Sequence, residues 1–403
     1  MNVWLLTNAP SPYQVELLAA IGESSDVDLH VRYMRGGNDL PSERARSKES
    51  SIRVMGGIGP RRWRDEVRLH PLALWECALG DYDCYVLSGL WTSVTFLSCA
   101  AVLCLRRRPW VLWFERPHSD ASAAGPYAKY KQPSSRAIRW LRDRVRGLLL
   151  ARSAAVLCIG TVARDAYAAL GVPQQKLFIV PYCCENRRFE TVQAERVAAV
   201  RHRYNLSGQT VILFSGQMIA RKGIDTLLEA FNRIAWMRKS AALLLLGDGP
   251  QRADYESMVS RELQSKVHFA GLVPQGELPE HFAAADLFVL PSRHDGWAVV
   301  INEACAAALP VIATRQTGAA YDLVEDGRSG FILEHDDVDG FVDRLLRLID
   351  EPALRAKFGQ RSRALVAPFT AENGAALFIR HLRLVLGKSA QRTEMASDVP
   401  HSG

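Results

Sequence analysis

Short apolar runs alternate with longer amphipathic segments along most of the chain. In the first half, the runs that read as strands are NVWLLTN, DLHVRYM, CYVLSG, PWVLWF, AAVLCIG and KLFIVPY. In the second half they are TVILFSG, AALLLLGDG, KVHFAG, LFVLPS, PVIAT and GFIL. Strands separated by helical stretches are typical of βαβ units and a parallel sheet. The pattern therefore predicts an α/β protein with two doubly wound, Rossmann-like halves.

A chain of 403 residues is longer than one ordinary core, which also favours two domains. We predict a first domain over residues 1–188 and a second over 189–370, with the change of domain in the segment VPYCCENRRF. Beyond the second domain, the amphipathic stretch AENGAALFIRHLRLVL predicts a helix over 371–387. The polar residues 388–403 are expected to form a disordered tail.

The composition, with 48% hydrophobic and 23% charged residues, is that of an ordinary folded protein rather than a fibrous or disordered one. The eight cysteines include no C-x-x-C pair and no cluster with zinc spacing, so we expect reduced, mostly buried thiols. The amino terminus lacks the basic region and long apolar core of a signal peptide. Gly89 and several hydroxyl residues interrupt the apolar segment from Tyr85 to Leu105, which argues against a membrane span. We therefore predict a cytoplasmic protein.

Positive charge is concentrated in the first half of the chain. Of the 50 Lys and Arg and the 43 Asp and Glu, 26 and 18 respectively lie at or before Glu190. No nucleic-acid-binding module accompanies this charge, so an anionic membrane is the favoured contact. The segment RAIRWLRDRVRGLLLARS places an apolar stripe on roughly one face, made of Ile138, Leu141, Val145, Leu148 and Leu149. It predicts either peripheral docking on anionic lipid at the inner face of the membrane or an ordinary surface helix.

Two acids bracket the loop between the predicted strands LFVLPS and PVIAT. Asp295 would lie on the loop and Glu303 on the helix that follows it. In a doubly wound protein, both would line the crevice beyond the carboxyl ends of the parallel strands. Carboxylates there accept hydrogen bonds from paired hydroxyls, so the two acids predict a sugar-binding site.

A second motif, SGQMIARKGIDTLLEAF, lies where a strand ends and a helix begins. Gly216 permits a tight turn, and the helix start near Gly223 presents free N–H groups and the positive end of the helix dipole. Arg221 and Lys222 add formal positive charge beside it. The motif predicts a diphosphate-binding loop.

Together these motifs resemble the retaining GT-B glycosyltransferases of the GT4-like family, also called glycosyl transferases group 1. The family pattern has two acids spaced E-x7-E, followed by EA, a small-residue turn and PVI, with G-R-L-x-x-x-K-G upstream. This chain differs at four positions: Asp295 replaces Glu, Gln217 replaces Arg, and Ala298 and Ala308 replace Gly. The resemblance implies a GT-B fold, in which two Rossmann-like domains face a central cleft. It also implies that the first domain binds the acceptor, that the second binds the nucleotide sugar, and that the last helix crosses back to the first.

The resemblance further implies roles for individual residues. Asp295 would hold the donor sugar, Glu303 the ribose, and Lys222 the departing diphosphate. The expected donor-binding positions are Gly216, Gln217, Arg221, Lys222, Leu272, Val273, Asp295, Gly296, Trp297, Ala298, Val299 and Glu303. In the first domain, the acceptor would meet Ser11, Pro12, Tyr13 and Glu115. The expected catalytic residues are Asp295, His118 and Lys222.

These expectations combine into one functional prediction. The chain would move a hexose-type sugar from a nucleoside diphosphate sugar to a hydroxyl acceptor, lipid-linked or an oligosaccharide, with retention of configuration, in cell-surface polysaccharide or glycolipid synthesis. No metal or other cofactor and no nucleic acid is predicted; the D-x-D of Asp81 and Asp83 precedes a strand, away from the predicted cleft loops. Two alternatives remain open: a GT-B sugar-nucleotide epimerase or hydrolase, which would need no acceptor, and an inactive GT-B scaffold that binds nucleotide or glycan.

Overall fold

The computed structural model describes residues 1–35, 51–58, 68–117 and 136–397. The chain divides into two compact units. The described residues up to Cys183, together with those from Ala371 onward, form the first unit, and Cys184–Thr370 belongs to the second.

The residues just after Cys184 are held by the second unit. Asn186 donates a hydrogen bond from Nδ2 to the Val366 carbonyl oxygen at 3.1 Å. The Phe189 ring meets the Phe282 ring edge-on, with centroids 5.4 Å apart. These contacts put the change of unit at Cys184, a few residues before the predicted boundary at 188.

The first unit is built on a parallel sheet. Its strands are β1 (Asn2–Thr7), β2 (Asp28–Tyr33), β3 (Ser51–Val54), β4 (Cys84–Ser88), β5 (Trp110–Phe114), β6 (Ala155–Cys158) and β7 (Leu177–Ile179). In the described residues their order is β3-β2-β1-β4-β5-β6-β7, and every pairing is parallel. The connecting helices are α1 (Pro12–Gly22), α2 (Pro71–Leu79), α3 (Val94–Leu105), α4 (Arg136–Arg152) and α5 (Thr161–Ala169). β4 and β5 are buried at every position, as expected for parallel strands covered on both faces.

β3 is the one strand of this sheet that the sequence pattern does not predict. It has four residues, SIRV, and pairs with β2 at the sheet edge, with Ile52 opposite Val31. Two apolar residues alternating with polar ones over so short a run give no clear periodic signal. The other six strands of the sheet match predicted runs.

The second unit repeats the same architecture with six strands in the described residues. They are β8 (Thr210–Ser215), β9 (Ala241–Leu246), β10 (Val267–Gly271), β11 (Leu287–Leu290), β12 (Val311–Thr314) and β13 (Gly330–Leu333), in the parallel order β10-β9-β8-β11-β12-β13. The helices are α6 (Asn186–Glu190), α7 (Ala194–Arg203), α8 (Ile224–Met237), α9 (Arg252–Ser257), α10 (Leu278–Ala283), α11 (Val300–Ala306), α12 (Ala320–Leu323), α13 (Val338–Asp350) and α14 (Pro352–Val366). All six strands match predicted runs, so the α/β, doubly wound prediction is confirmed.

The last helix, α15 (Ala371–Ser397), packs within the first unit. Gly374 lies so close to α1 that an added Cβ would be 2.9 Å from Leu17 Cδ1. Further along, Arg383 pairs with Asp26 at 2.8 Å. The helix continues to Ser397 instead of ending at 387, because Gly387 costs only about 1 kcal/mol in a helix interior and the residues after it are mostly good helix formers.

The segment from Tyr85 to Leu105 divides into β4 and α3, as the interrupting glycine and hydroxyl residues predict. Among the described residues, no helix combines the length and apolar content needed to cross a bilayer. The eight cysteines are all free thiols, and every one except Cys104 is buried. This agrees with the expectation of reduced, mostly buried thiols.

Candidate active site

The strand order of the second sheet reverses between β8 and β11. From β8 the chain moves outward through β9 and β10, and from β11 it moves outward on the other side through β12 and β13. The two central strands are paired neighbours, with Leu287 opposite Ile212. A reversal of this kind opens a crevice at the carboxyl ends of the strands, where doubly wound proteins bind ligands. The loops after β8 and β11 therefore define the candidate site.

The loop after β8 enters α8 through one 3-10 turn, Ala220–Lys222. Gly223 then caps α8 with a φ of +67°, a left-handed conformation that glycine adopts at no steric cost. A Cβ atom at this position would lie 2.1 Å from the Pro291 carbonyl oxygen, so a larger residue does not fit. The start of α8 is thereby packed against the beginning of the β11 loop. Its unsatisfied N–H groups make it a candidate anion site.

Lys222 and Asp295 join the two loops through an ion pair between their side chains. Both residues are more than nine-tenths buried. Arg221 adds a longer contact, 3.4 Å from Nη1 to Asp295 Oδ2, and donates a hydrogen bond to the His294 carbonyl oxygen at 3.0 Å. Burial by itself raises the pKa of Asp295, but the charges of Lys222 and Arg221 and the Lys222 hydrogen bond outweigh it and hold the pKa below its ordinary value. Asp295 is therefore a carboxylate at neutral pH, facing two cations.

A second charged group lies beside this pair and was not among the predicted site residues. We call it the Arg293 cluster: Arg293, Asp225 and Asp336. The Arg293 guanidinium is 2.7 Å from Asp225 Oδ2 and 2.6 Å from Asp336 Oδ1. Asp225 lies inside the diphosphate motif and Arg293 lies two positions before Asp295, so both are near predicted residues in sequence. The ion pairs that Arg293 forms with Asp225 and with Asp336 after β13 are long-range contacts that no local spacing reveals.

The loop after β9, GDGP, packs on the loop after β8. Met218 donates a backbone hydrogen bond to the Asp248 carbonyl oxygen at 2.9 Å. A Cβ atom on Gly249 would lie 2.5 Å from the Met218 carbonyl oxygen, which explains the glycine. Of the two positions after β10 that the resemblance assigns to the nucleobase, Leu272 is 79% exposed and Val273 is partly buried. Both lie at the same carboxyl edge of the sheet as the β8 loop.

In that β8 loop, Gly216 and Gln217 follow the strand directly. Gly216 donates a backbone hydrogen bond to the Leu246 carbonyl oxygen at 3.0 Å. Gln217, which replaces the family arginine, is exposed. Because glutamine is uncharged, the formal positive charge of this loop comes from Arg221 and Lys222.

Backbone hydrogen bonds from the segment after β12 hold the Asp295–Val299 part of the β11 loop. Gly318 donates to the Asp295 carbonyl oxygen at 3.1 Å, and Ala319 to that of Trp297 at 2.8 Å. Gly296 is buried, and the Trp297 ring is 1% exposed, with Nε1 donating to Asn302 Oδ1 at 3.0 Å. Trp297 thus anchors the loop in the core, while Ala298 and Val299 remain partly exposed. Any donor contact at 297 would come from its backbone.

Glu303 projects from α11, where it is partly buried. The helix ends at Ala306 and the chain turns through Ala308, whose φ is +56°. Ala298, at the other end of the same region, has a φ of +74°. These are the two positions where the family pattern has glycine, and both alanines occupy the left-handed region that favours it.

In the first unit, the strand order reverses between β1 and β4, so the loop after β1 occupies the equivalent position. Ser11 is the N-cap residue of α1 and Pro12 its first residue, which suits the fixed φ of proline. Tyr13 follows, with its ring centroid 4.7 Å from that of Tyr182. All three predicted acceptor residues of this loop therefore lie at the switch point of the first sheet.

Glu115 follows β5, and its carbonyl oxygen accepts a hydrogen bond from Tyr167 Oη at 2.9 Å. Burial, followed by the charges of Tyr13 and Glu115, raises the pKa of Tyr182 well above its ordinary value. The carboxyl of Glu115 is thus within electrostatic reach of the Tyr13–Tyr182 pair. His118, the predicted catalytic histidine, lies outside the described residues.

Two family models match the chain, and together they cover most of both units. The model described as "Glycosyl transferases group 1" matches residues 199–365, and the one described as "Glycosyl transferase 4-like domain" matches residues 9–183. This chain belongs to the group 1, GT4-like glycosyltransferases. The predicted family assignment is confirmed, and the matched ranges contain every described residue of the candidate site.

Curated members of the glycosyltransferase family show similarity over part of their length. An alpha-D-kanosaminyltransferase of Streptomyces kanamyceticus is 28% identical over 54% of this chain and 56% of the relative. A GDP-mannose-dependent alpha-(1-6)-phosphatidylinositol monomannoside mannosyltransferase of Mycolicibacterium smegmatis is 30% identical over 52% of this chain and 56% of the relative. The matches therefore span little more than half the length of these curated relatives.

The fold of this glycosyltransferase family member is shared with solved GT-B structures. Anabaena Alr3699/HepE, crystallised in complex with UDP, superposes with a TM-score of 0.72 over 98% of this chain and all of the other, at 18% sequence identity. At that identity the likeness establishes the fold. The predicted GT-B fold class is confirmed.

The D-x-D residues of this chain have structural partners at the opposite end of the first sheet. Asp83 Oδ2 accepts a hydrogen bond from the Asn2 backbone N–H at 2.8 Å, and Asp81 pairs with Arg108 at 2.7 Å. Across the part of the chain that the structure describes, no group of three or more His, Cys, Asp or Glu side chains is arranged to hold a metal ion. Metal-independent chemistry stays a prediction.

Proposed function

We propose that this chain transfers a hexose-type sugar from a nucleoside diphosphate sugar to a hydroxyl acceptor, with retention of configuration. One observation carries the proposal. At the switch point of the second sheet, Lys222 and Arg221 converge on Asp295 beside the N-terminus of α8. Cations and a helix start suit a diphosphate, and an ionised carboxylate suits sugar hydroxyls.

The proposed chemistry uses these groups in turn. As the bond from the anomeric carbon to the diphosphate breaks, the acceptor oxygen bonds to that carbon and its proton passes to the departing diphosphate. The negative charge that grows on the departing oxygen is stabilised by the Lys222 ammonium and the α8 N–H groups. Lys222 exchanges part of its contact with Asp295 for the diphosphate earlier, when the donor binds. The Asp295 carboxylate accepts hydrogen bonds from the donor sugar, and Glu303 accepts them from the ribose. Retention is supported by the family resemblance.

The relatives suggest which substrates to test. One is named for GDP-mannose and a phosphatidylinositol monomannoside, and one solved neighbour was crystallised with UDP. We propose that the acceptor of this chain is a lipid-linked or saccharide hydroxyl, in glycolipid or surface polysaccharide synthesis. No metal takes part in the proposed reaction.

Helix α4 supports a peripheral contact with anionic lipid. It carries apolar side chains that are more than half exposed, namely Ile138, Trp140, Leu141 and Leu148. Arg144 stacks over the Trp140 ring at 5.2 Å, within a helix that has a single acid, Asp143. Of the predicted apolar stripe, Leu149 instead packs into the core. A face that mixes exposed apolar and basic side chains is the kind that lies in an anionic membrane interface.

The experiment that tests the transferase proposal begins with ligand-induced thermal stabilisation. Purified protein is heated with UDP, GDP, ADP and dTDP, and with their glucose and mannose derivatives where these exist. A ligand present at a hundred times its Kd stabilises the folded state by about 2.7 kcal/mol. The best donor is then incubated with and without sugar and lipid-linked acceptors.

The outcomes separate the candidate functions. Transfer that requires both donor and acceptor, with an α-linked product from an α-linked donor, supports a retaining transferase. Sugar release or conversion that is independent of acceptor would instead show a hydrolase or an epimerase. Nucleotide binding without any turnover would indicate a scaffold, and the absence of all nucleotide binding would overturn the donor-site assignment.

A further inference from the structure

Arg293 occupies the junction of three loops at the carboxyl edge of the second sheet. Its side chain is 9% exposed. The guanidinium donates to both oxygens of Asp225, from Nη1 at 2.9 Å and from Nη2 at 2.7 Å. It also donates from Nε to Asp336 Oδ1 at 2.7 Å and from Nη1 to the Ala220 carbonyl oxygen at 2.6 Å. With Nη2 also donating to Thr226 Oγ1 at 3.4 Å, all five N–H donors of the guanidinium have acceptors.

The backbone of Arg293 holds the same turn. Its N–H donates to the Arg221 carbonyl oxygen at 2.7 Å. In return, Arg221 Nη1 donates to the His294 carbonyl oxygen at 3.0 Å. The Ala220–Lys222 turn is therefore bonded to residues 293–294 three times, once through the Arg293 side chain, once between backbone groups and once through the Arg221 side chain. Asp295, the partner of Lys222, is the next residue along.

The Arg293 cluster also sets the local charge at the start of α8. Asp225 lies in the first turn of α8, where an unpaired carboxylate would repel a diphosphate. Arg293 neutralises it through a two-pronged pair, the geometry that arginine provides and lysine does not. Asp336 completes the cluster, and it also accepts hydrogen bonds from Thr226 Oγ1 at 3.0 Å and from His335 Nδ1 at 2.9 Å.

We infer that Arg293 is a positioning residue of the sugar-transfer site, which fixes the turn that carries Arg221 and Lys222 and neutralises Asp225 so that a diphosphate is accepted at α8. The inference rests on the proposed function. Arg293 acts through these neighbours and not by touching the donor, since its own N–H groups are fully used within the protein. An ion cluster around a largely buried guanidinium is a weak source of net stability, but it fixes geometry, and here it fixes the geometry of the diphosphate loop.

A matched control exists in the same unit. Arg238, at the carboxyl end of α8, makes a similar two-pronged pair with Asp350, at 2.5 and 2.7 Å, on the exposed surface. Arg238→Lys therefore removes an arginine fork of the same kind from the opposite end of the same helix. Arg293→Lys keeps the charge in the cluster but cannot hold Asp225, Asp336 and Ala220 together.

The experiment measures affinity for the nucleoside diphosphate selected by thermal stabilisation and for the matching monophosphate, by calorimetry, in wild type and both variants. The affinity for the monophosphate measures mainly the contacts with the nucleoside. The ratio of the diphosphate affinity to the monophosphate affinity measures the contribution of the diphosphate loop. We expect Arg293→Lys to lose on the order of tenfold to a hundredfold in diphosphate affinity, since small misplacement of binding groups is costly, with monophosphate affinity changed less than about twofold. Arg238→Lys should keep both affinities. The melting temperature without ligand is recorded for each protein.

Three results would overturn the inference. An unchanged affinity ratio in Arg293→Lys shows that the fork does not position the loop. Equal losses for both ligands, with a lower melting temperature, show a structural role only. If the wild type does not bind the diphosphate more tightly than the monophosphate, the proposed function fails and this inference fails with it. If the wild type does prefer the diphosphate and Arg293→Lys prefers it equally, only this inference fails.

Discussion

The side chains of Lys222 and Asp295 form a buried ion pair that links the loops after β8 and β11, the two central strands of the second sheet. Burial of either charge alone would be costly, so each residue requires the other in the absence of ligand. The same two residues are the ones that the family resemblance assigns to the diphosphate and to the donor sugar. The pair therefore holds both side chains of the proposed site in place before a donor arrives.

Replacing Lys222 should remove most of the proposed activity. Lys222→Ala takes away the cation that stabilises the departing diphosphate, and it leaves Asp295 buried beside Arg221 alone. We expect turnover to fall on the order of a hundredfold or more, measured as donor consumption with acceptor present. Lys357→Ala, on the exposed face of α14, is the control and should retain wild-type rates. Near-native turnover in Lys222→Ala would show that the diphosphate site is misplaced.

Acid should weaken the protein through Asp295. Its pKa in the folded state lies below the ordinary value of 3.8, because Lys222 and Arg221 outweigh the effect of burial. A group whose folded pKa is lowered stabilises the protein above its unfolded pKa, and the contribution disappears as the pH falls through the folded value. The difference in unfolding free energy between wild type and Asp295→Asn should thus be constant near neutral pH and shrink below about pH 3.8.

The measurement is urea unfolding of both proteins between pH 7 and pH 3. Asp254→Asn, an exposed aspartate on α9, serves as the control. If the gap between wild type and Asp295→Asn were the same at both ends of the range, the carboxylate would not be the stabilising form. The Lys222–Asp295 pair would then contribute nothing through charge.

The sequence predicted the positions of the site loops better than the contacts within them. The ends of β8 and β11 can be predicted because each of these strands contains a continuous apolar run, and the site loops begin where those runs end. The Arg293–Asp336 contact joins residues 43 positions apart, and no local pattern encodes such a pairing. The sequence could not predict that Trp297 is buried either. An aromatic residue in a glycine-containing loop can contact a ligand or pack into the core, and the local pattern does not distinguish the two. The sequence pattern did not predict β3, because this strand has only two apolar residues.

Glu303 should contribute to donor binding rather than to folding. It lies on α11, partly buried, at the edge of the same crevice. If it accepts hydrogen bonds from the ribose, Glu303→Ala should cost on the order of a hundredfold in turnover and should abolish thermal stabilisation by the preferred nucleotide. Glu303→Gln retains one acceptor oxygen and should recover part of the stabilisation. A Glu303→Ala protein that is stabilised as strongly as wild type would remove Glu303 from the site.

Membrane contact through α4 should depend on Trp140. Its side chain is 61% exposed beside several arginines, so Trp140→Ser removes an apolar anchor and leaves the charge unchanged. We expect Trp140→Ser to reduce co-flotation with vesicles that contain phosphatidylglycerol, and higher salt to reduce flotation of the wild type. Trp236→Ser alters an equally exposed tryptophan, 67% exposed, on α8 of the second unit and should float like wild type. Wild-type protein that stays with the soluble fraction at low salt would refute the contact.

Replacing Ala308 with glycine should relieve backbone strain and stabilise the protein. The residues after α11 form a Schellman turn, in which Leu309 donates to the Ala304 carbonyl oxygen and Ala308 to that of Cys305, both at 3.0 Å. The turn requires a left-handed residue, and Ala308 supplies it at a φ of +56°. An alanine there costs about 1–2 kcal/mol in sterics, against about 0.5–1 kcal/mol of extra backbone entropy for glycine. Ala308→Gly should therefore stabilise the second unit by about 0.5–1 kcal/mol, which for a unit of this size raises its melting temperature by roughly 2 °C.

The neighbouring residue provides the control for this change. Ala307 has a φ of −72°, where alanine is unstrained, so Ala307→Gly gains nothing in sterics. It should destabilise the same turn by about 0.5–1 kcal/mol, and the two variants should shift the urea midpoint in opposite directions. Equal destabilisation by both would mean that Ala308 carries no strain. Opposite shifts would show that this chain tolerates alanine at a glycine position of its family only at a measurable cost in stability.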